Sequence, residues 1–189
     1  MDNLIAKIYG MQKTVFNTRD IALIWEEKNR NNLKSKISYY VRNGDIVRLK
    51  NGIFVKNKNY DRQELAASIY TPSYVSFETI LREEGVIFQH YDTVFIAGTL
   101  SKELVIDDLK ISFRKIKEAV LYNPFGIINK GNYSVASKER AFLDMIYLFP
   151  GYYFDNLKSI NWEKCNEMVK IYGNKQMAKR LRAYHKENK

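Results

Sequence analysis

Apolar residues recur every three or four positions in three short stretches at the start of the chain, which is the spacing of a helix with one buried face. The first stretch covers residues 2–9. The second begins after Phe16, where Asn17 and Asp20 are spaced to form a capping box. Phe16 and Ile21 are also spaced to pack across the start of that helix. The pattern therefore predicts two short helices before residue 26.

The third stretch, from about Asn31 to Asn43, is two-sided. Its apolar face consists of Leu33, Ile37, Tyr40 and Val41. At about 100° per residue, the opposite face presents Asn32, Ser35, Tyr39 and Arg42, with Asn31 and Ser38 beside them and Lys34 and Lys36 on the flanks. No acidic residue occurs between Glu27 and Asp45, although exposed helices usually mix the two charge signs.

These side chains can bind the base edges and phosphates that a DNA duplex exposes. Asn32 and Arg42 are expected to contact base edges, while Lys34 and Lys36 neutralise phosphates. The alternative is a surface helix that merely lacks acidic residues.

A hairpin is predicted directly after this helix. Gly44 stands where a helix commonly ends. Two β-prone runs, residues 46–49 and 53–55, flank Asn51-Gly52, which favours a type I′ turn. Three helices followed by a hairpin are typical of a winged helix-turn-helix domain. The hairpin carries basic residues that can reach the sugar-phosphate backbone, namely Arg48, Lys50, Lys56 and Lys58.

The pattern changes after a polar break at residues 56–60, which predicts a winged helix-turn-helix domain over 1–60 and a second domain over 61–189. Residues 62–70 predict a helix, and Thr71-Pro72 separates it from another over 73–84. Helical spacing returns at residues 138–149. Between these helices lie β-prone runs at 93–97, 103–106, 110–116, and 125–128 continuing into 133–136. Because strands and helices are not alternating, the predicted fold class is α+β.

Charge is concentrated at the two ends of the chain. Residues 1–60 contain twelve basic and five acidic side chains, residues 61–163 contain eleven and fourteen, and residues 164–189 contain eight and two. Basic ends around an acidic middle indicate a protein that binds a polyanion. The alternative is a basic protein encoded by an AT-rich genome, in which Lys and Asn codons are common.

A basic amphipathic helix is predicted from Asn174 onward. Met177, Leu181 and Tyr184 form its apolar stripe, and the opposite side carries Lys175, Lys179, Arg182 and Lys186. This basic side either contacts DNA or is simply solvated, and membrane binding is disfavoured because the stripe lacks Trp and is poor in Leu. The candidate DNA-binding residues are Arg19, Asn31, Asn32, Lys34, Ser35, Lys36, Tyr39, Arg42, Arg48, Lys50, Asn51, Lys56, Lys175, Lys179, Arg182 and Lys186.

Three segments resemble the AbiEi-type antitoxins and transcriptional regulators of abortive phage infection. Residues 16–22, Phe-Asn-Thr-Arg-Asp-Ile-Ala, look like the start of a helix in that family's winged helix. Residues 72–81, with Gly85, are similar to the helix that opens its second domain. Residues 136–144 match a late helix, which usually begins with proline where this chain has Lys138.

The resemblance implies a regulator that represses its own operon by binding inverted repeats in double-stranded DNA. It also implies protection from a co-expressed nucleotidyltransferase-like toxin, with or without a direct complex. The residues of the two second-domain motifs are expected to serve packing. Glu78 is expected to be buried and paired, whereas Glu139 and Asp144 are expected to cap and solvate a helix.

No catalytic pattern stands out, and no cofactor is predicted. The two histidines and Cys165 lack metal-ligand spacing, and no phosphate-binding glycine loop or nucleophile elbow occurs. A Mg²⁺-dependent restriction-type nuclease is one alternative, because Asp92 and Asp108-Leu109-Lys110 imitate its acidic motif. The other alternative is a winged-helix regulator with no toxin–antitoxin function. However, Asp107-Asp108 is expected to form a turn. A single cysteine and the lack of an apolar leader or span predict a cytoplasmic protein.

Overall fold

The computed structural model describes residues 4–188, and the chain divides into two compact units after Ser68. Both units mix helices and strands, so the α+β class is confirmed. Within residues 4–188 no helix combines the length and apolar character needed to cross a bilayer.

The first unit packs helices against a small antiparallel sheet. Its helices are α1 (Leu4–Gly10), α2 (Thr18–Ile24), α3 (Arg30–Arg42) and α4 (Arg62–Ser68). Its strands are β1 (Val15–Asn17), β2 (Val47–Lys50) and β3 (Ile53–Val55), in the order β1-β3-β2. The apolar faces of α1, α2 and α3 meet the sheet in one buried cluster: Ile8, Phe16, Ile21, Trp25, Leu33, Ile37, Ile46 and Phe54.

The local signals at the helix ends are confirmed. Asn17 accepts a hydrogen bond from the backbone N–H of Asp20, whose carboxylate accepts one from the Asn17 N–H. The helix predicted over 31–43 is α3, which begins one residue earlier because the Asn29 side chain caps it. Gly44 follows with a φ of 78°, the left-handed conformation that glycine adopts most readily.

The hairpin of β2 and β3 is also confirmed, but the type I′ turn is wrong. A type I′ turn needs positive φ at both central residues, whereas Gly52 has a φ of 81° and Asn51 does not have a positive one. The ladder shifts register between Arg48 and Lys50, and such a bulge increases the twist of the hairpin without a mirror-image turn.

Helix α4 belongs to the first unit, so the division lies later than the boundary predicted near residue 60. Glu64 of α4 accepts hydrogen bonds from the backbone N–H and the hydroxyl of Thr14, next to β1. Leu65 and Ala66 are fully buried. These contacts span about fifty residues of sequence, and a local polar break does not reveal them.

The second unit is built on a six-stranded mixed sheet in the order β6-β7-β5-β4-β9-β8. The strands are β4 (Ser73–Val75), β5 (Thr93–Gly98), β6 (Lys102–Ile106), β7 (Leu109–Lys115), β8 (Ile127–Asn129) and β9 (Ser134–Ala136). The helices are α5 (Phe77–Glu83), α6 (Glu118–Leu121), α7 (Lys138–Leu148), α8 (Trp162–Met168) and α9 (Lys175–Glu187), with a 3₁₀ turn over Val169–Tyr172. Helix α7 has buried residues along most of its length and lies beside α5, α8 and α9.

The helix predicted over 73–84 is partly wrong. Residues 73–75 form β4, which pairs antiparallel with β5 and parallel with β9, and the helix begins only at Phe77. Tyr74 and Val75 are both buried. A central strand buried on both faces shows no alternation, and a short apolar run cannot be told from a helix by its period.

Other predictions for the second unit are confirmed in outline. The β-prone runs at 93–97, 103–106 and 110–116 correspond to β5, β6 and β7, and Asp107-Asp108 forms the turn that joins the last two. The two linked runs at 125–136 are an antiparallel hairpin, β8 and β9. The late helices are α7 and α9, while α6 and α8 were not predicted.

Candidate nucleic-acid interface

Helix α3 buries one side and exposes the other as its pattern predicted. Leu33 and Ile37 are buried, and Tyr40 and Val41 pack against the same core. The exposed residues include Asn31, Asn32, Lys34, Ser35, Tyr39 and Arg42, and Tyr39 retains 53% of its accessible surface. The helix therefore offers amide, hydroxyl and cationic groups to solvent.

A cleft of about 650 Å³ separates α3 from the β2–β3 hairpin. Its walls come from the two elements that the sequence assigned to DNA binding, together with the first residue of α2. The lining residues are Thr18, Lys34, Ser35, Ile37, Ser38, Arg42, Arg48, Asn51, Gly52 and Phe54. None of them is acidic, so three cations and several neutral donors face the same space.

The cations of this cleft are free of carboxylate partners. Within the described residues 4–188, no Asp or Glu lies within ion-pair distance of Lys34, Arg42 or Arg48. The Arg48 guanidinium stands 5.4 Å from the centre of the Phe54 ring. Phe54 therefore supports a side chain that would otherwise be unrestrained in solvent.

Thr18 also lines the cleft, although no local sequence pattern marks it as a binding residue. Its backbone N–H donates to the Gly52 carbonyl at 3.1 Å, which holds the start of α2 beside the hairpin turn. The two residues are far apart in sequence, and no local signal links them.

Two of the predicted phosphate ligands are already engaged. The Lys36 ammonium lies 2.6 Å from a Glu27 carboxylate oxygen, and this contact, with the hydrogen bond that Glu27 accepts from the Asn29 backbone, lowers the pKa of Glu27. The Lys56 ammonium donates to the backbone carbonyls of Tyr9 and Met11. Both lysines therefore already have partners within the first unit.

The remaining candidates of the first unit lie on its surface. Arg19, Lys50 and Asn51 are exposed, and only Asn51 lines the cleft. On α9, Met177 and Leu181 are buried, and the predicted basic side is exposed, comprising Lys175, Lys179, Arg182 and Lys186. Each unit thus exposes basic side chains among its described residues.

The second unit contains a buried polar cluster around Arg140 and Asp144, both with 0% exposure. Asp144 accepts hydrogen bonds from Tyr74, Ser76, Tyr172 and Arg140. The expectation that Asp144 caps and solvates a helix is therefore wrong, because tertiary packing places α7 at the centre of this unit. Burial raises the pKa of Asp144, and burial and the nearby carboxylate raise the pKa values of Tyr74 and Tyr172.

Arg140 also donates to three backbone carbonyls, those of Val120, Asn123 and Phe125. It thereby ties both α6 and the segment after it to α7. Because these groups are fully buried and mutually paired, the cluster stabilises the fold and presents nothing to a ligand.

The expectation that Glu78 is buried and paired is confirmed. Its carboxylate accepts two hydrogen bonds from Arg114, at 2.6 and 2.7 Å. The Arg114 guanidinium lies 4.3–4.9 Å from the centres of three aromatic rings, those of Phe77, Phe95 and Phe149. This bidentate pair joins β7 to α5.

The acidic motif of the nuclease alternative lies where two parallel strands begin. Thr93 pairs with Lys110, so Asp92 stands beside the start of β7, and both Asp92 and Asp108 are exposed. Asp92 contacts His90 at 3.1 Å. Across residues 4–188, no three His, Cys, Asp or Glu side chains are grouped closely enough to hold a metal ion.

The described residues thus contain two kinds of polar arrangement. One is exposed, basic and without carboxylate partners, as in the cleft of the first unit. The other is buried and internally paired, as around Asp144 and Glu78. No protein-family model matches the chain, and no curated protein is significantly similar to it in sequence.

Proposed function

We propose that the first unit is a winged helix-turn-helix domain that binds duplex DNA, with α3 in the major groove and the β2–β3 hairpin against the backbone. The observation that carries this proposal is the acid-free cleft between α3 and the hairpin, whose cations have no carboxylate partner among residues 4–188. A helix with its side chains is about 10–12 Å across, which suits a major groove about 12 Å wide.

Charge supports the same function over a longer range. Residues 1–60 carry a net charge of +7, from twelve basic and five acidic side chains. Such a surface attracts the duplex before any specific contact forms. Base edges would then be read from α3 by Asn32 and Tyr39, which are exposed and have the required donors and acceptors.

The biological role that we propose is that of an autorepressor and antitoxin. This part rests on the resemblance of residues 16–22, 72–81 and 136–144 to AbiEi-type regulators. The partners would be an inverted-repeat operator and a nucleotidyltransferase-like toxin. The test is co-expression with the product of the adjacent gene. Growth rescue by the full chain supports the antitoxin role, and continued toxicity contradicts it.

DNA binding is tested by selecting bound duplexes from a randomised library and measuring affinities for the selected and scrambled sequences. Replacing Asn32 and Tyr39 by alanine should reduce the preference by about 1–3 kcal/mol for each base that is no longer read. Asn166→Ala is the matched control, because Asn166 is an exposed amide on α8. If no sequence is enriched, or if the double variant keeps the full preference, base reading by α3 is refuted.

A second candidate function is Mg²⁺-dependent nucleic-acid cleavage. The parallel register of β5 and β7, which brings Asp92 beside the start of β7, is the observation that favours it. We expect no cleavage by the purified protein with Mg²⁺. Cleavage that disappears in Asp108→Ala would instead establish the nuclease.

A further inference from the structure

We infer that the cleft between α3 and the β2–β3 hairpin clamps a single backbone phosphodiester, and that base reading is left to other residues of α3. This inference rests on the proposed DNA-binding function and assigns the ligand of its cleft. It changes the expected role of Arg42, which the sequence pattern alone assigned to a base edge.

The chemistry of the lining favours phosphate. Three cations (Lys34, Arg42 and Arg48) and three hydroxyls (Thr18, Ser35 and Ser38) face the cleft, with the amide of Asn51 at the hairpin turn. A phosphodiester presents a negative charge and two non-bridging oxygens that accept hydrogen bonds. A base edge in the major groove usually combines acceptors with donors or a methyl group. No carboxylate lines the cleft to receive those donors.

The geometry favours one ligand held from two sides. Arg42 belongs to the last turn of α3 and Arg48 to β2, yet both line the same cleft. Arg48 is supported by the Phe54 ring, and a guanidinium is well suited to bind two oxygens of one phosphate. Thr18, held by its backbone bond to Gly52, places a third element beside them.

The cleft residues and the base-reading residues lie in different directions around the axis of α3. At about 100° per residue, Asn32 and Tyr39 lie roughly 110° around the helix from the mean direction of Lys34, Ser38 and Arg42. Neither Asn32 nor Tyr39 lines the cleft. A phosphate held at the hairpin side would therefore set the register of α3 in the groove while those two residues face the bases.

The experiment measures duplex affinity across a salt series for the wild type, Arg42→Ala, Arg48→Ala and the double variant. Neutralising one phosphate contributes about 0.9 to the slope of log affinity against log salt. If both arginines hold the same phosphate, the slope of the double variant should fall by about 0.9 in total. Two separate phosphates would lower it by about 1.8. The ratio of affinities for selected and scrambled sequences should stay within about twofold of wild type.

Duplexes with single methylphosphonate substitutions identify the phosphate. One neutral substitution should weaken the wild type and leave the double variant unaffected. Lys158→Ala, at an exposed lysine of the second unit, should respond to that substitution like the wild type. Inorganic phosphate and a mononucleotide at millimolar concentration should not displace the duplex. Arginine-dependent displacement by either would instead assign the cleft to a free phosphate compound and overturn the inference.

The inference and the proposed function fail in different ways. Sequence-specific binding whose preference disappears in Arg42→Ala, or a slope change near 1.8 in the double variant, overturns the clamp and leaves DNA binding intact. A wild type that binds no duplex overturns both.

Discussion

Replacing Asp144 by asparagine should strongly destabilise the second unit. The substitution keeps the shape of the side chain and removes its charge. Arg140, with 0% exposure, is then left without its carboxylate, and three hydroxyl donors meet an amide in place of two acceptor oxygens. Because this carboxylate accepts hydrogen bonds from four buried side chains, the surrounding groups cannot rearrange to compensate for the lost charge.

The magnitude follows from the complete burial of the pair. Breaking a buried ion pair by removing one partner costs about 3–5 kcal/mol, out of a typical total stability of about 5–15 kcal/mol. With a urea m-value of about 2 kcal/mol per molar, within the usual range, the unfolding midpoint should fall by roughly 1.5–2.5 M.

Trp162 makes the assay specific to the second unit. The chain has two tryptophans, Trp25 in the first unit and Trp162 in the second. The Trp162 ring stacks on His185, with centroids 4.6 Å apart, so its fluorescence reports the packing of α8 against α9. In a Trp25→Phe background, urea unfolding of Asp144→Asn should be compared with the parent.

Asp92→Asn is the matched control, because the Asp92 side chain is 78% exposed. Its midpoint should move by the small amount expected for a surface change, within about 0.5 kcal/mol. If the Asp144→Asn midpoint moves no further than that of the control, the buried cluster does not stabilise the unit as its contacts require.

Three further predictions concern single features of the chain. If α9 contacts four phosphates, replacing Lys175, Lys179, Arg182 and Lys186 by alanine should lower the slope of log duplex affinity against log salt by roughly 3–4. Equal slopes for the variant and the wild type would exclude those contacts. Lys36→Ala should raise the pKa of Glu27 towards 4.5, seen in an NMR titration, and should change the salt slope less than Lys34→Ala; equal slope changes would contradict the ion pair. Burial raises the pKa of the Cys165 thiol to about 12, so the stability gained by burying the neutral thiol should be lost as pH rises from 9 towards 12. Iodoacetamide should modify Cys165 only in denaturant, and rapid alkylation of the native protein at pH 8 would refute this.

Features that depend on nearby residues could be predicted from the sequence. The capping box joins Asn17 to Asp20, three positions apart. The exposed face of α3 follows from a repeat of three and four residues, and the β2–β3 hairpin follows from Asn51-Gly52 between two β-prone runs. Each of these features lies within one helix or one hairpin, so its stability depends mainly on residues that are close together in the chain.

Long-range packing decided the rest. Asp144 looks like an ordinary solvated helix residue until α7 is placed at the centre of the second unit, where its carboxylate meets Tyr74 and Ser76 from about seventy positions away. Lys36 looks like a free cation until Glu27 is placed beside it. Strand β4 has no alternation to reveal it, because both of its faces are buried.

The candidate site likewise has some features that the sequence predicts and others that only tertiary packing determines. The basic and amide side chains of α3, and the basic hairpin after it, were evident from the sequence because composition and period belong to each element separately. Their convergence on one cleft was not, because Arg42, Arg48 and Thr18 come from different elements and meet only when α2, α3 and the hairpin pack on the shared core of Phe16, Ile37 and Phe54. Local spacing determines which groups an element can present, and burial of the apolar faces determines which of those groups meet.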